Sequence, residues 1–234
     1  GFTPKTGGLL REDDLAQRQA SFNATAWLRS LGITREPGAQ LVSLFCYEPA
    51  ALPLYLETLQ NAALQTSSSA TPSTQLLVTA GRASTAVRQW LQTQGLDAPQ
   101  QSSTPINMVR TGQLQLHFLP MLSQHDYDHL LWACDLNFVR GEDSLVRALW
   151  SGKPFVWQIY PQDDNAHHIK LRAFLDQLAI TGPWRHMFEV WNGLQPSSDL
   201  PGLPSSAFTN ADPIWAQDDL TTRLLAFVQA HLTP

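Results

Sequence analysis

The stretch Asn137-Phe138-Val139-Arg140-Gly141-Glu142-Asp143-Ser144 runs from an apolar strand through an Arg-Gly turn into an acidic helix start. The first backbone N–H groups of a helix have no partner within it and point toward anions, so such a start suits a phosphate. Arg140 adds a planar, permanently charged donor that matches a diphosphate. The same residues also describe an ordinary helix start, with Ser144 or Asp143 as cap and the acids complementing the dipole. Two further apolar runs end in polar or aromatic tips: Phe45-Cys46-Tyr47-Glu48, and Lys153-Pro154-Phe155 through Tyr160 to Asp164. Brought side by side, the three tips would form a crevice for a base and a diphosphate. Taken singly, each aromatic reads as core packing. His167 and His168 lie near Asp163 and Asp164, but adjacent helical residues point about 100° apart and do not share one ion. No H-E-x-x-H spacing is present, so no metal is expected, and His117, His125 and His129 read as surface or structural. G-x-S-x-G, G-x-G-x-x-G and G-x-x-x-x-G-K-[ST] are all absent, which removes the usual hydrolase, dinucleotide and P-loop signatures.

Positioning those tips requires a sheet. Glu12 to Leu31 has helical spacing through Leu15, Phe22 and Ala26 and ends at Gly32, and Arg35-Glu36-Pro37-Gly38 follows as a break. Beyond it, short apolar runs at 41–47, 75–80, 106–110, 113–119, 136–139 and 154–160 predict strands. Helical patterns at 49–63, 83–93, 124–134, 143–150, 165–178 and 183–192 lie between or after them. The Ser/Thr-rich segment 65–73 and the Pro/Ser-rich segment 195–213 predict loops. Gln217 to Leu232 predicts an amphipathic helix with Leu220, Leu224, Phe227, Val228 and Leu232 on one face. Strands alternating with helices imply an α/β fold, a parallel sheet flanked by helices, with ligands at the carboxyl ends of the strands near a switch point.

The 234 residues suffice for one large domain, or a domain and part of another. With 43% hydrophobic residues, eight Trp and ten Phe, the chain has ample core material, which excludes a disordered protein. A net charge of −5 argues against general binding to nucleic acid or to anionic membranes. Cys46 and Cys134 sit in apolar runs and read as buried free thiols of a reducing compartment. No apolar stretch approaches the roughly 18 residues that suggest a membrane span, and no signal-peptide pattern opens the chain. The expectation is a soluble, cytoplasmic protein. Gly1 to Gly8 reads as the middle of a loop, which suggests a fragment.

Several blocks together resemble the elongation factor P arginine rhamnosyltransferase family. They are Phe45-Cys46-Tyr47-Glu48, Leu119-Pro120 with Gln124, Tyr127-Asp128 before Leu130-Leu131-Trp132, Arg140-Gly141-Glu142-Asp143-Ser144, and Gly152-Lys153-Pro154-Phe155 with Ile159-Tyr160-Pro161-Gln162. Pro4-Lys5-Thr6-Gly7-Gly8-Leu9 resembles the segment before that family's second domain. The resemblance implies a GT-B glycosyltransferase of two Rossmann-like domains, transferring rhamnose from dTDP-β-L-rhamnose to an arginine of elongation factor P with inversion. It implies that this chain is the donor-binding part: residues 1–37 the tail of an amino-terminal domain, 38–214 the Rossmann-like donor domain, and 215–234 a helix returning to the first. The family's general-base Asp would lie outside this sequence. By position, Tyr47 and Met121 would hold the thymine, Met121 standing where the family often has an aromatic. Gln124 would meet the base edge, and Arg140, Glu142, Asp143, Ser144 and Tyr160 would meet diphosphate and sugar. Glu142 is the catalytic candidate within the chain. No cofactor or metal is implied beyond the donor itself. The alternative reading is a non-catalytic nucleotide-sugar binding module.

Overall fold

A computed structural model describes residues 7–62, 73–98, 107–202 and 216–232. The loop expected at 65–73 lies almost wholly outside these residues, as do Pro4-Lys5-Thr6 and the part of the 195–213 loop beyond residue 202. The expected Glu12–Leu31 helix is two shorter ones, α1 (Leu15–Ser21) and α2 (Ala24–Ser30). The break falls at Phe22-Asn23. Phe22 leaves the helical conformation, and the Asn23 side chain accepts the Ala26 N–H at 2.9 Å, starting a new helix.

From there the order is β1 (Gln40–Leu44), α3 (Leu52–Gln60), β2 (Thr74–Val78), α4 (Arg82–Thr93), β3 (Asn107–Thr111), β4 (Leu114–Phe118), α5 (Gln124–Ala133), β5 (Leu136–Arg140), α6 (Gly141–Ser151), β6 (Phe155–Gln158), α7 (Ala166–Gln177), α8 (Gly182–Trp191) and α9 (Leu220–Leu232). The six strands form one sheet in the order β3-β4-β2-β1-β5-β6. All neighbours are parallel except β3 and β4, which form an antiparallel hairpin in place of a further crossover. Gly112 makes that hairpin's turn. Its φ is +56°, and a Cβ there would lie 2.2 Å from the Gln60 carbonyl oxygen, so only glycine fits.

Apart from its partly exposed edge strand β3, the sheet is buried on both faces. On one, Val42, Leu44, Leu76, Val78 and Phe138 join α3, α4 and α8, with Phe138, Tyr55 and Trp191 in mutual ring contact at 4.4–5.7 Å. On the other, Leu41 and Leu77 pack with Leu28 of α2, Ile33 and Leu130 of α5. The polar residues of β2 and β4 are buried there too. Gln75 Nε2 donates to the Thr34 carbonyl at 3.0 Å and to Gln115 Oε1 at 3.2 Å, with His117 beside it. The alternating pattern of β4 therefore marks an internal polar pairing and not a solvated face.

Residues 8–11 and the start of α9 meet: the Leu220 N–H donates to the Leu9 carbonyl at 2.9 Å, and Arg11 Nη2 to the Gln217 carbonyl at 3.4 Å. α1 and α2 pack against the sheet domain. Leu15 belongs to its main core, and Gln19 Nε2 donates to the Ser151 carbonyl at 2.8 Å. The apolar face expected on α9 exists, but Leu224, Phe227 and Val228 are 56%, 61% and 40% exposed. Cys46 and Cys134 are both free and buried, and burial pushes the Cys46 thiol up to about 12. No helix among the described residues is long and apolar enough to cross a membrane.

Candidate functional site

The chain builds β1, β2 and β4 outward in one direction, then returns to lay β5 against β1 and continues to β6 on the far side. The adjoining carboxyl ends of β1 and β5 therefore diverge into a crevice, the position where open α/β sheets take their ligands. The Phe45 N–H, bonded to the Phe138 carbonyl at 2.9 Å, holds those two ends together. Immediately beyond lie Tyr47 on one side and Arg140-Gly141 on the other. The cleft between them, about 930 Å³, is lined by Tyr47, Met121, Gln124, Arg140, Glu142, Asp143 and Ser144.

β5 passes into α6 with no intervening residue, and Gly141 supplies the change of direction at φ +67°. A Cβ there would come within 3.3 Å of the Tyr47 hydroxyl, so glycine also sets how close the tyrosine stands. Trp157 of β6 donates from Nε1 to the Gly141 carbonyl at 2.7 Å, and Gln158 accepts the Tyr47 N–H at 2.8 Å. β6 thus fixes both rims from behind. The expected side-chain cap is corrected by the structure. α6 begins two to three residues earlier than its acids suggest, and Arg140, its N-terminal flanking residue, makes no side-chain cap. Ser144 turns back instead, its Oγ accepting the Arg140 N–H at 3.1 Å and donating to the Arg140 carbonyl. Among the described residues no side chain caps the start of α6 on the cleft side, which keeps that end available to an anion.

The Arg140 guanidinium lies over two rings, 4.4 Å from the Phe45 centroid and 4.6 Å from that of Tyr47. No ion pair among the described residues joins it to Glu142 or Asp143, whose exposed carboxylates are likewise without a cationic partner. Burial raises the Tyr47 phenol above its ordinary value, with the Arg140 charge opposing. Behind it, Arg82 and Glu48 form a two-pronged pair whose guanidinium sits 5.2 Å from the Tyr47 ring.

The third wall precedes and opens α5. Ser123 caps the helix, accepting the Asp126 N–H at 3.1 Å, and this fixes Gln124 at its first turn. Met121 is 80% exposed at the rim. Tyr160 is the one predicted site residue that does not line the cleft. It stands edge-on to Tyr47, with centroids 5.6 Å apart, and is 57% exposed. Sequence reasoning put Phe45 in a crevice-forming tip and Tyr127 in a family block without giving either a role; their rings meet edge-on at 5.5 Å on the cleft wall. It passed over Arg147, which lies one turn beyond Asp143 on α6, a spacing that places both on one helix face. His167 accepts the Gln162 N–H at 3.1 Å, and no three metal-ligating side chains converge among the described residues.

The family described as Elongation-Factor P (EF-P) rhamnosyltransferase EarP matches residues 1–229. This chain belongs to it. Among EarP relatives, the protein-arginine rhamnosyltransferase of Pseudomonas putida is 39% identical over 254 residues, which take in 99% of this chain and 63% of the relative. That of Pseudomonas aeruginosa is 38% identical over 249 residues, 97% of this chain and 61% of the relative. The chain thus spans under two thirds of the length of these curated relatives. A solved structure described as the structural basis for EarP-mediated arginine glycosylation of translation elongation factor EF-P superposes with a TM-score of 0.80 at 33% identity. It covers 99% of this chain and 75% of its own. With enzymes as its EarP relatives, a non-catalytic binding module is not the favoured reading.

Proposed function

We propose that this chain is the donor-binding part of a GT-B, inverting protein-arginine rhamnosyltransferase, transferring L-rhamnose from dTDP-β-L-rhamnose to an arginine of elongation factor P. The observation that carries the reading is the convergence of seven side chains from three separate segments on one cleft at the β1/β5 switch point. Tyr47 and Met121 hold the thymine from two sides, a thioether packing on a ring face where an aromatic would otherwise stand. Gln124 meets the base edge. Arg140 and the first backbone N–H groups of α6, those of Asp143 and Ser144 included, take the diphosphate, the Glu142 and Asp143 carboxylates face the sugar hydroxyls, and Tyr160 supports Tyr47 from outside. Residues 38–214 form the donor domain, with residues 1–37 and the last helix flanking it on the way to an acceptor-side domain.

In the transfer, a nitrogen of the acceptor guanidinium bonds to the anomeric carbon as the bond from that carbon to the dTDP oxygen breaks. A guanidinium with a pKa above 12 is a poor nucleophile until a carboxylate orients it and takes its proton, and that Asp belongs to the acceptor side. The electron pair leaves with the diphosphate, where the fixed dipoles of α6 and the Arg140 charge stabilise it. The setting is the cytoplasm, in keeping with two buried free thiols. Calorimetric titration of residues 1–234 with dTDP, UDP and GDP tests the reading. dTDP is expected to bind and GDP not to bind, and elongation factor P is expected to stay unmodified by this chain alone with dTDP-rhamnose. Absence of dTDP binding would refute the donor assignment. Rhamnosylation by residues 1–234 would refute the division of labour.

A further inference from the structure

Arg147 is almost withdrawn from solvent, its side chain 13% exposed, yet it lines the cleft and has no part in the roles above. Its Nη1 donates to both carboxylate oxygens of Asp128 at 2.9 Å, and its Nη2 to Glu12. Asp128 is 3% exposed and also receives Arg18 Nη1 at 3.2 Å. This pairing bolts α5 to α6. Gln124 lies one turn before Asp128 on α5, and Asp143 one turn before Arg147 on α6. The link therefore joins the base end of the cleft to its diphosphate end.

Arg147 also decides which way the Gln124 amide faces. The amide atom nearest the guanidinium is 3.1 Å from Arg147 Nε and is close to Nη2 as well. As a nitrogen it would set N–H groups against two N–H donors, with only Glu12 Oε1, at 3.3 Å, to accept from it. Glu12 is already served by Arg147, and burial, which pushes its carboxyl up, is outweighed by that hydrogen bond and charge, which hold it below its usual range. As an oxygen the same atom accepts from the guanidinium, so the carbonyl faces Arg147. The other end of Gln124, which faces only acceptors, is then its NH2, and it only donates.

We propose that Arg147 is a positioning residue that locks Gln124 as a hydrogen-bond donor, so that the cleft selects a pyrimidine showing a carbonyl, not an amino group, at the edge it meets. The inference rests on the donor reading of the cleft. Without the lock, the amide turns over and accepts from an amino group as readily as it donates to a carbonyl.

The test uses dUDP and dCDP, which share sugar and diphosphate and differ at the base edge, with inorganic diphosphate as the probe of the phosphate end. Wild-type residues 1–234 should bind dUDP at least about tenfold more tightly than dCDP, since the wrong base leaves polar groups unpaired. In Arg147→Lys, which keeps a charge for Asp128 but loses Nε, the ratio should fall to within about threefold while diphosphate affinity holds. Gln124→Ala should lose the ratio equally, and the double variant should lose no more, because both act through one amide. Arg147→Met is the harsher companion, with melting curves to show that it folds. A ratio unchanged in Arg147→Lys overturns the proposal. So does equal wild-type binding of dUDP and dCDP, or a parallel loss of diphosphate affinity, which would make Arg147 a phosphate ligand. A wild-type chain that binds dTDP but fails these tests leaves the donor reading standing, whereas one that binds no dTDP brings down both.

Discussion

Arg140→Ala separates a ligand-binding turn from an ordinary strand end. In the fold, Arg140 makes no ion pair among the described residues, so its side chain stabilises the protein only through the Phe45 and Tyr47 rings at 4.4 and 4.6 Å. Each cation–ring contact contributes about 0.5–1 kcal/mol at partly exposed sites. Removing both costs roughly 1–2 kcal/mol of folding stability, a shift of a few degrees in a chain of this size. The expected loss in binding is larger. A charge-assisted pair with a diphosphate contributes about 1.5–3 kcal/mol. At about 1.4 kcal/mol per decade, dTDP affinity should fall roughly 10- to 150-fold. Arg140→Lys should recover only part, because an ammonium keeps the charge but loses the planar fork and the flat stack on two rings. The assay is calorimetric titration with dTDP and thermal melting on the same preparations. A variant that melts a few degrees lower and binds dTDP unchanged would refute the placement of the diphosphate on this turn.

Gly112→Ala should lower stability by about 3 kcal/mol or more, because the new Cβ meets the Gln60 carbonyl at 2.2 Å in a left-handed backbone, while dTDP affinity of the folded fraction is unchanged; thermal melting and titration check both halves. Asp128→Asn leaves the Arg18 and Arg147 guanidinium groups without their shared carboxylate and should cost about 3 kcal/mol in urea unfolding, at the low end for a broken buried pair because Asp14 and Glu12 remain. Burial lowers the His117 pKa to about 4, so between the unfolded value near 6.5 and pH 4 the unfolded chain binds more protons. Stability should therefore fall as pH drops through that window, and His117→Asn should flatten the denaturation midpoint across it.

How much of this was legible in the sequence follows the range of the forces involved. Local pattern was enough for the strand–turn–helix at Asn137 to Ser144 and for most elements, because apolar periodicity and turn residues act between near neighbours. The break inside residues 12–31 was missed because Phe22 kept the helical spacing while its neighbour Asn23 found a capping bond, and the two readings compete within a fraction of a kcal/mol. The β3–β4 hairpin was read as two strands; its antiparallel sense follows from their two-residue connection, too short for a parallel crossover, whereas the seat of Gly112 under Gln60 is a contact between residues far apart in the chain. The site divides in the same way. Residue types and order pointed to the Phe45–Glu48 tip and the 140–144 block, and the family resemblance added Gln124. Only the sheet order, with β5 laid against β1, put them around one cleft and set Tyr160 behind Tyr47. The pairing of Arg147 with Asp128 and its grip on Gln124 had no signal beyond a helical spacing, because a guanidinium's partners are chosen by which helices pack together. Chemistry and local shape were written in the sequence; proximity was decided by the packing of α5 and α6 on the sheet, through burial terms summed over the whole core.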